Sequence, residues 1–256
     1  DNAELLSLYS AVYERTGEAV FASAGRDILR FLFSKLYDRA TGAFFASQDA
    51  DEEYYPLPAE GRSRRVPPSV DRTIFSEYNG KAVSALVAAH RAFGAPAGGG
   101  DAGEDSLLSR AATLGRFLRE SLWNPDAGQA RFPSAAGSGG EAPRGFLSDL
   151  VAVAAAHLDL YEETGNEEYR RWAEEALDLA VSTLYREEAA GFLDRPPAPD
   201  DFGGLNVAVY PFPQNAQAAC ALMRHARGSG RADHFAAAVR TLCGLSASYE
   251  GRGAFA

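Results

Sequence analysis

The sequence VYERTGE at residues 12–18 returns as LYEETGN at residues 160–166, and this pair decides the fold. In both copies an apolar helical pattern runs into a Thr-Gly pair, and glycine readily takes the left-handed conformation that ends a helix. A closing turn follows each copy at nearly the same spacing, Gly42-Ala43-Phe44 after the first and Gly191-Phe192 after the second. The chain is therefore built from a repeated helical hairpin, and long-period repeats indicate stacked units that share a core.

Two weaker copies of the hairpin extend the pattern. One begins near Asn79 and closes near Arg131-Phe132, and the other begins near Asn215 and closes near Ala254-Phe255. The first helix of the later copies is rich in alanine on nearly every side, whereas the second is charged and apolar along one stripe. A helix that is apolar all round is buried, and a one-sided helix lies at the surface. We therefore predict an all-α protein, an α/α toroid, in which residues 1–256 form one domain of about four hairpins.

The apolar periodicity also predicts the helix boundaries, which are 2–15, 18–37, 79–93, 105–122, 147–163, 166–186, 214–227 and 231–246. Two long segments that contain several prolines, 46–76 and 193–212, separate some of these helices. Proline interrupts a helix, so these segments cannot be helical throughout. Loops of this length in a compact array are usually functional.

Charge and composition restrict the class of protein. The chain has 25 basic and 35 acidic residues and a net charge of −10. An acidic surface repels phosphate backbones, so we expect no nucleic-acid partner. No apolar run is long enough to span a bilayer, and no signal segment is visible, so we expect a cytoplasmic protein without membrane contact. Met223 is the only methionine, which indicates a piece of a longer protein.

The cysteines and histidines give no sign of a metal or cofactor site. We expect Cys220 and Cys243 to be small buried hydrophobic residues, because both fall in helical patterns. The four histidines lack the spacing of metal ligands, and we expect core or surface positions for them. The sequence has no glycine-rich phosphate loop and no Gly-x-Ser-x-Gly turn. We therefore expect no cofactor and no metal.

Polar residues recur at the start of the first helix of each copy, as Asp1-Asn2, Glu77-Tyr78-Asn79, Ser148-Asp149 and Gln214-Asn215. In a toroid the inner helices run the same way, so their N-termini and free N–H groups gather at one mouth. Helix capping explains one polar residue per helix. The recurrence of two or three such residues favours a ligand site at the mouth, and both interpretations stay open.

The segment Ser47–Glu53 holds the densest group of carboxylates. Paired carboxylates suit acid–base chemistry at a glycosidic bond, which makes Asp49 and Asp51 candidate catalytic residues. A solvated acidic loop is the alternative. Aromatic residues flank the loops and suit a sugar ring, although they also serve as loop anchors. The candidate substrate-binding residues are Asp1, Asn2, Gln48, Glu77, Tyr78, Asn79, Asp149, Tyr210, Gln214 and Asn215.

Several of these segments resemble one known family, the thioredoxin-domain-containing proteins related to spermatogenesis-associated protein 20. The resemblance rests on Asp1-Asn2-Ala3, on 42–51 with its Ser-Gln-Asp-Ala-Asp stretch, on 71–80, on 145–149 with 161–165, and on Gln214-Asn215. Members carry an N-terminal thioredoxin-like domain followed by an (α/α)6 toroid, similar to six-hairpin glycosidases and N-acylglucosamine 2-epimerases. The resemblance implies an (α/α)6-toroid type of fold, a sugar or sugar-like ligand, and a covalently attached thioredoxin-like domain in the full-length protein.

The chain also departs from the family. The thioredoxin-like domain, the first hairpin and the last hairpin have no counterpart in this sequence, so the chain matches about four of the six hairpins. Tyr78 stands where the family usually has tryptophan. Three hypotheses for function remain: a carbohydrate-acting hydrolase or epimerase, a module that binds a sugar without turning it over, and a protein-interaction scaffold that uses loops 46–76 and 193–212.

Overall fold

Long helices form most of the protein. The computed structural model describes residues 1–94, 106–123, 135–136, 145–198 and 201–250. The helices are α1 Asn2–Thr16, α2 Ala19–Phe31, α3 Ala59–Ser63, α4 Ser76–Phe93, α5 Leu107–Phe117, α6 Leu147–Thr164, α7 Glu167–Leu184, α8 Phe212–Ser229 and α9 Ala232–Glu250. The predicted closing turns at 131–132 and 254–255 lie outside the described residues.

The long helices pair into hairpins that stand side by side. α1, α4, α6 and α8 form an inner layer in that order, and each packs against the helix that follows it, α2, α5, α7 or α9. Asp149, near the start of α6, accepts a hydrogen bond from the backbone N–H of Glu77 at the start of α4. The starts of α4 and α6 therefore lie side by side, and these two inner helices run in the same direction. This arrangement confirms the prediction of an all-α fold of the α/α-toroid type.

The ends of corresponding helices match one another in detail. α1 ends at Gly17 with φ 69°, and α6 ends at Gly165 with φ 68°. Each glycine N–H donates over 2.8 Å to a tyrosine carbonyl one turn earlier, that of Tyr13 or Tyr161. The outer helices α2 and α5 both continue into a five-residue π-helical turn. The sequence repeat is thus a repeat of backbone geometry.

Short antiparallel strand pairs fasten the loops. β1 Ser47–Gln48 pairs with β2 Val70–Asp71, so that Ser47 lies opposite Asp71. β3 Ile74–Phe75 pairs with β4 Ala135–Ala136, and β5 Tyr185–Arg186 pairs with β6 Gly191–Phe192. The long segment 46–76 is therefore tied at both of its ends, and α3 lies inside it.

The inner helices pack closely because their contact residues are small. A Cβ atom added at Gly80 of α4 would lie 2.8 Å from the backbone carbonyl carbon and oxygen of Ala152 in α6. That distance is shorter than a normal van der Waals contact, so only glycine fits at this position. The hydrophobic core runs without a break from Leu6 in α1 to Ala238 in α9.

The exposure of the two cysteines differs from the prediction. Cys220 and Cys243 are exposed, so the prediction that they are buried was wrong. Cys220 lies on the side of α8 that faces a cavity, and apolar periodicity alone does not tell a concave surface from a core. In the described part of the chain, every helix is too short or too polar to cross a membrane.

His157 of α6 sits in the core beneath the outer helices. The residue is 1% exposed, and its Nε2 atom lies 3.1 Å from the carbonyl oxygen of Gly115 in α5. Its ring is stacked on Tyr169 and meets Trp172 edge-on. Burial disfavours the charged imidazolium and lowers the pKa of His157 to about 4.

We expect this histidine to make the protein sensitive to acid. The pKa is lower in the folded state than the usual value of about 6.5, so stability is full above pH 6.5 and falls as the pH drops towards 4. Between pH 7.5 and pH 5, His157 should remove about 2 kcal/mol from the free energy of unfolding. Urea unfolding at several pH values measures this. In His157→Phe and in His157→Gln, the free energy of unfolding should differ between pH 7.5 and pH 5 by about 2 kcal/mol less than in the wild-type protein. An unchanged pH dependence in either variant would contradict the assignment.

Candidate functional site

A cavity of about 610 Å³ opens where α1 and α4 begin. We call it the mouth cavity. It is lined by the starts of these two helices, by the segment Phe44–Gln48, by Asp71, and by apolar residues at the end of α2 and in its π-helical turn. The β1–β2 pair holds Ser47, Gln48 and Asp71 at the rim.

Four of the predicted ligand contacts line the mouth cavity: Asp1, Asn2, Gln48 and Tyr78. Tyr78 is 50% exposed, and its ring centroid lies 5.0 Å from that of Phe75. Gln48 donates a hydrogen bond from Nε2 to the carbonyl oxygen of Pro68, which leaves its Oε1 atom as an acceptor. An aromatic face, an amide and a carboxylate therefore meet at one opening.

The structure adds Lys81 and Glu4 to this site, neither of which was predicted from the sequence. Lys81 Nζ lies 2.8 Å from Glu77 Oε1 and 3.0 Å from Glu4 Oε1, so it joins α4 to α1. Burial opposes the charge on Lys81, but the hydrogen bonds to Glu77 and Glu4 outweigh it and raise its pKa. The hydrogen bond from Lys81 lowers the pKa of Glu4. The Glu77–Lys81 spacing is a helical i, i+4 pair that the sequence displays, whereas the partner on α1 is a tertiary contact.

Asp71 is a further rim residue that was not predicted as a ligand contact. Its carboxylate accepts hydrogen bonds from the backbone N–H of Thr73, at 2.9 Å, and from the Thr73 hydroxyl, at 2.7 Å. These bonds lower the pKa of Asp71. Glu4 and Asp71 are therefore anions and Lys81 is a cation at neutral pH.

The mouth cavity continues along the concave side of the inner layer. A second cavity, of about 350 Å³, shares Glu4 and Lys81 with it and reaches Gln217 and Arg224 of α8. Its lining comes from all four inner helices, α1, α4, α6 and α8. A ligand longer than the mouth cavity can therefore extend over the inner face.

Asn79 and Asn215, predicted as ligand contacts, are structural instead. Asn79 is 0% exposed; its Oδ1 atom accepts from the Phe44 N–H at 2.8 Å, and its Nδ2 atom donates to the carbonyl oxygens of Phe44 and Phe75. Asn215 is 1% exposed and makes the same three bonds, to Phe192 N–H, Phe192 C=O and Pro211 C=O. We call these two arrangements the asparagine clamps. Each fastens the closing turn of one hairpin to the inner helix of the next, and burial keeps both amides away from a ligand in the mouth cavity.

Asp149 also serves the scaffold. It is 3% exposed, and its Oδ1 atom lies 3.0 Å from the backbone nitrogen of Glu77. Glu77 is the second residue of α4, so Asp149 caps the neighbouring inner helix rather than its own. Three of the recurring polar residues, Asn79, Asp149 and Asn215, therefore serve clamping or capping. Asp1, Asn2 and Tyr78 line the mouth cavity instead.

The proposed catalytic pair is not supported by the geometry. Neither Asp49 nor Asp51 lines the mouth cavity, to which this segment contributes only residues up to Gln48. The Asp51 carboxylate accepts from the backbone N–H groups of Glu53 and Tyr54, and it thereby stabilises the local turn. Asp49 is exposed and meets only Ser69 through its carboxylate, at 3.3 Å, within the described residues.

The remaining predicted residues divide between two places. Glu77 contacts the mouth cavity indirectly, through its ion pair with Lys81. Tyr210 and Gln214 line neither the mouth cavity nor its extension. They lie at the start of α8, and α6 separates α8 from α4 in the inner layer.

One cluster of potential metal ligands lies on the outer layer. Asp178, Asp233 and His234 place three ligand atoms within 4.8 Å of one another. Arg231 Nη2 lies 2.8 Å from Asp178 Oδ1, 2.6 Å from Asp233 Oδ2 and 3.3 Å from His234 Nε2. A guanidinium group therefore already occupies the position that a cation would take, and the cluster is an ion-pair network.

Comparison with known proteins agrees with this architecture. No family model matches the chain. Spermatogenesis-associated protein 20 of Rattus norvegicus is 24% identical over 139 residues, which cover 52% of this chain and 16% of that protein. The similarity predicted from the motifs is thus confirmed at low identity, and the chain spans about a sixth of the length of that relative.

Solved structures show the same fold. Cellobiose 2-epimerase from Spirochaeta thermophila superposes with a TM-score of 0.72 at 15% identity, over 98% of this chain and 59% of that one. The GH76 alpha-mannanase of Bacteroides thetaiotaomicron superposes with a TM-score of 0.71 at 15% identity, over 97% of this chain and 60% of that one. At such identities the likeness establishes the fold, and the chain spans about three fifths of these enzymes.

Proposed function

We propose that this protein binds a sugar or sugar-like ligand in the mouth cavity. The observation that carries the proposal is the convergence of the half-exposed Tyr78 ring with Gln48 and Asp71 at one opening. Aromatic faces pack on sugar rings, and fixed amides and carboxylates accept hydrogen bonds from hydroxyl groups. The volume of about 610 Å³ suits one or two sugar rings. Structural neighbours that act on sugars support the proposal by analogy of fold.

The chemistry of the cavity favours binding over turnover by these residues. Glycoside hydrolysis needs a carboxylic acid that stays protonated near neutral pH. The pKa values of Glu4 and Asp71 are lowered, and that of Lys81 is raised. All three groups are therefore held in their charged forms. A hydrolase or epimerase activity of a longer protein is a separate hypothesis. It would need an acid–base pair formed by residues other than Asp49 and Asp51.

Tyr78→Ala should weaken binding of cellobiose or mannobiose about tenfold, because the variant loses the aromatic face and its share of buried ligand surface. Isothermal titration calorimetry measures the affinity. Tyr210→Ala is the matched control, since Tyr210 is 39% exposed but lies outside the cavity. Equal losses in the two variants would remove the site from the mouth cavity. A wild-type protein that binds neither disaccharide would instead favour the interaction scaffold built on loops 46–76 and 193–212.

We also propose, from the sequence resemblance, that residues 1–256 form one toroid domain that is attached to a thioredoxin-like domain in a cytoplasmic full-length protein. The two would then form one polypeptide in which ligand occupancy of the mouth cavity reports to a redox domain. The intact mass and peptide map of the native protein test this: a thioredoxin-like segment ahead of Asp1 supports the attachment, and its absence rejects it.

A further inference from the structure

A separate cleft lies at the opposite end of the inner helices from the mouth cavity. It has a volume of about 410 Å³ and is lined by the last two turns of α6 and α8 and by Arg170 in the first turn of α7. The polar lining residues are Tyr161, Glu162, Arg170, Arg224, His225 and Arg227. We call it the arginine cleft. It shares Arg224 with the extension of the mouth cavity, but none of the residues of the mouth cavity itself.

A chain of hydrogen bonds runs from the outer layer to this cleft. Asp178 Oδ1 lies 2.8 Å from His234 Nε2, and His234 Nδ1 lies 3.0 Å from His225 Nδ1. His234 Nε2 faces the Asp178 carboxylate, which can only accept, at 2.8 Å, and the Arg231 Nη2 donor at 3.3 Å. Arg231 Nη2 already donates to Asp178 and Asp233, so the shorter contact decides: His234 carries its proton on Nε2 and presents a lone pair at Nδ1. His225 must then carry its proton on Nδ1 and donate it to His234.

The neighbouring serine supports this tautomer. Ser229 Oγ donates its proton to the carbonyl oxygen of His225 at 2.8 Å and lies 3.4 Å from His225 Nδ1. Its lone pairs therefore face a protonated Nδ1. The opposite tautomer would set a lone pair of His234 Nε2 against the Asp178 carboxylate at 2.8 Å, which is repulsive.

His225 Nε2 is consequently a hydrogen-bond acceptor without a donor. The residue is 1% exposed, its Nε2 atom is buried, and that atom has no hydrogen-bond partner among the described residues. Glu174 Oε2 lies 3.7 Å away, but it is an acceptor as well. A buried acceptor left without a donor destabilises the folded protein. Because His225 lines the arginine cleft, a donor bound in the cleft would remove that destabilisation.

The cleft also carries a free positive charge. Arg224 is held by Asp159 at 2.6 Å and Glu162 at 3.0 Å, and Arg170 is held by Glu167 at 2.6 Å. Arg227, in the last turn of α8, is exposed and makes no ion pair or hydrogen bond with the described residues. Its guanidinium is therefore ready to pair with an anion.

We propose that the arginine cleft binds a small anionic ligand that also carries a hydroxyl group, with the anion on Arg227 and the hydroxyl donating to His225 Nε2. A phosphate monoester of a polyol has this chemistry. Burial, followed by repulsion from His234, lowers the pKa of His225, so its imidazole stays neutral and able to accept at pH 7. The site does not rest on the mouth cavity or on the proposed sugar ligand.

Glycerol 3-phosphate and methyl phosphate test the proposal, since both are phosphate monoesters and only the first has hydroxyl groups. Titration of histidine-¹⁵N-labelled protein by NMR should move the His225 Nε2 resonance with glycerol 3-phosphate and leave it in place with methyl phosphate. Glycerol 3-phosphate should bind about tenfold more tightly than methyl phosphate. Equal affinities, or a His225 resonance that does not move at saturation, would overturn the proposal.

Arg227→Ala supplies a variant that keeps the core intact, because the side chain is exposed. It should weaken glycerol 3-phosphate binding about tenfold or more. Arg15→Ala, an exposed arginine in the last turn of α1, is the matched control and should bind as the wild-type protein does. Binding that falls equally in both variants would indicate a general charge effect and reject the site.

Discussion

Asn215→Leu will lower the free energy of unfolding by about 4 kcal/mol, although it replaces one side chain by another of similar size. The clamp amide satisfies the N–H and C=O of Phe192 and the C=O of Pro211. Leucine satisfies none of them, and at a position that is 1% exposed water cannot replace the bonds. Each buried backbone group left without a partner costs about 1–3 kcal/mol.

Urea unfolding followed by circular dichroism measures the loss. Gln214→Leu is the matched control, since it changes the adjacent, partly buried residue and should stay within about 0.5 kcal/mol of the wild-type protein. Asn79→Leu should repeat the loss, because Asn79 makes the same set of bonds to Phe44 and Phe75. A loss below about 1 kcal/mol at both asparagines would show that the clamps do not stabilise the array.

Gly80→Ala should destabilise the protein by about 3 kcal/mol, although this substitution usually stabilises a helix. Alanine favours a helix over glycine by about 1 kcal/mol. At Gly80, however, the new Cβ would lie 2.8 Å from the backbone of Ala152, and the backbone of a packed helix cannot move aside as a flexible side chain can. The strain therefore outweighs the gain in helix propensity.

Gly228→Ala is the control for this reasoning. A Cβ atom at Gly228 in α8 would meet only Tyr161 Cε1, at 3.9 Å, which is an ordinary contact. The substitution should stabilise the protein by up to about 1 kcal/mol. Thermal unfolding of the two variants side by side decides the matter: two stabilised variants would mean that α4 and α6 are not in contact as closely as described.

Local signals predicted the fold well. The Thr-Gly pairs at 16–17 and 164–165 mark the ends of α1 and α6 to within a residue, because a left-handed glycine is a local requirement. The assignment of helices to the inner or outer layer follows from their apolar surface: inner helices are apolar on nearly every side, and outer helices along one stripe. The expectation that the whole ring has six hairpins came from the family resemblance. The apolar periodicity shows where helices lie but does not show how many hairpins complete a ring.

The candidate site was predicted only in part, for physical reasons. Asn79 and Asn215 resemble ligand contacts in the sequence, because a side-chain amide offers the same donors and acceptor to a sugar as to the protein backbone. Burial decides between the two, and burial depends on the closing turns at Phe44 and Phe192, far away along the chain. Lys81 was missed because its role depends on Glu4, a contact between two hairpins.

The two asparagine clamps close segments of different length. Asn79 and Phe44 are 35 residues apart, whereas Asn215 and Phe192 are 23 apart, yet the three bonds are the same. The entropic cost of closing a loop rises only slowly with the length of the loop. The intervening segment can therefore gain or lose residues with little loss of stability. Insertions there would reshape the rim of the toroid without disturbing the array beneath it. The clamp thus separates what can diversify in evolution, the loops at the rim, from what must stay constant, the packed helices.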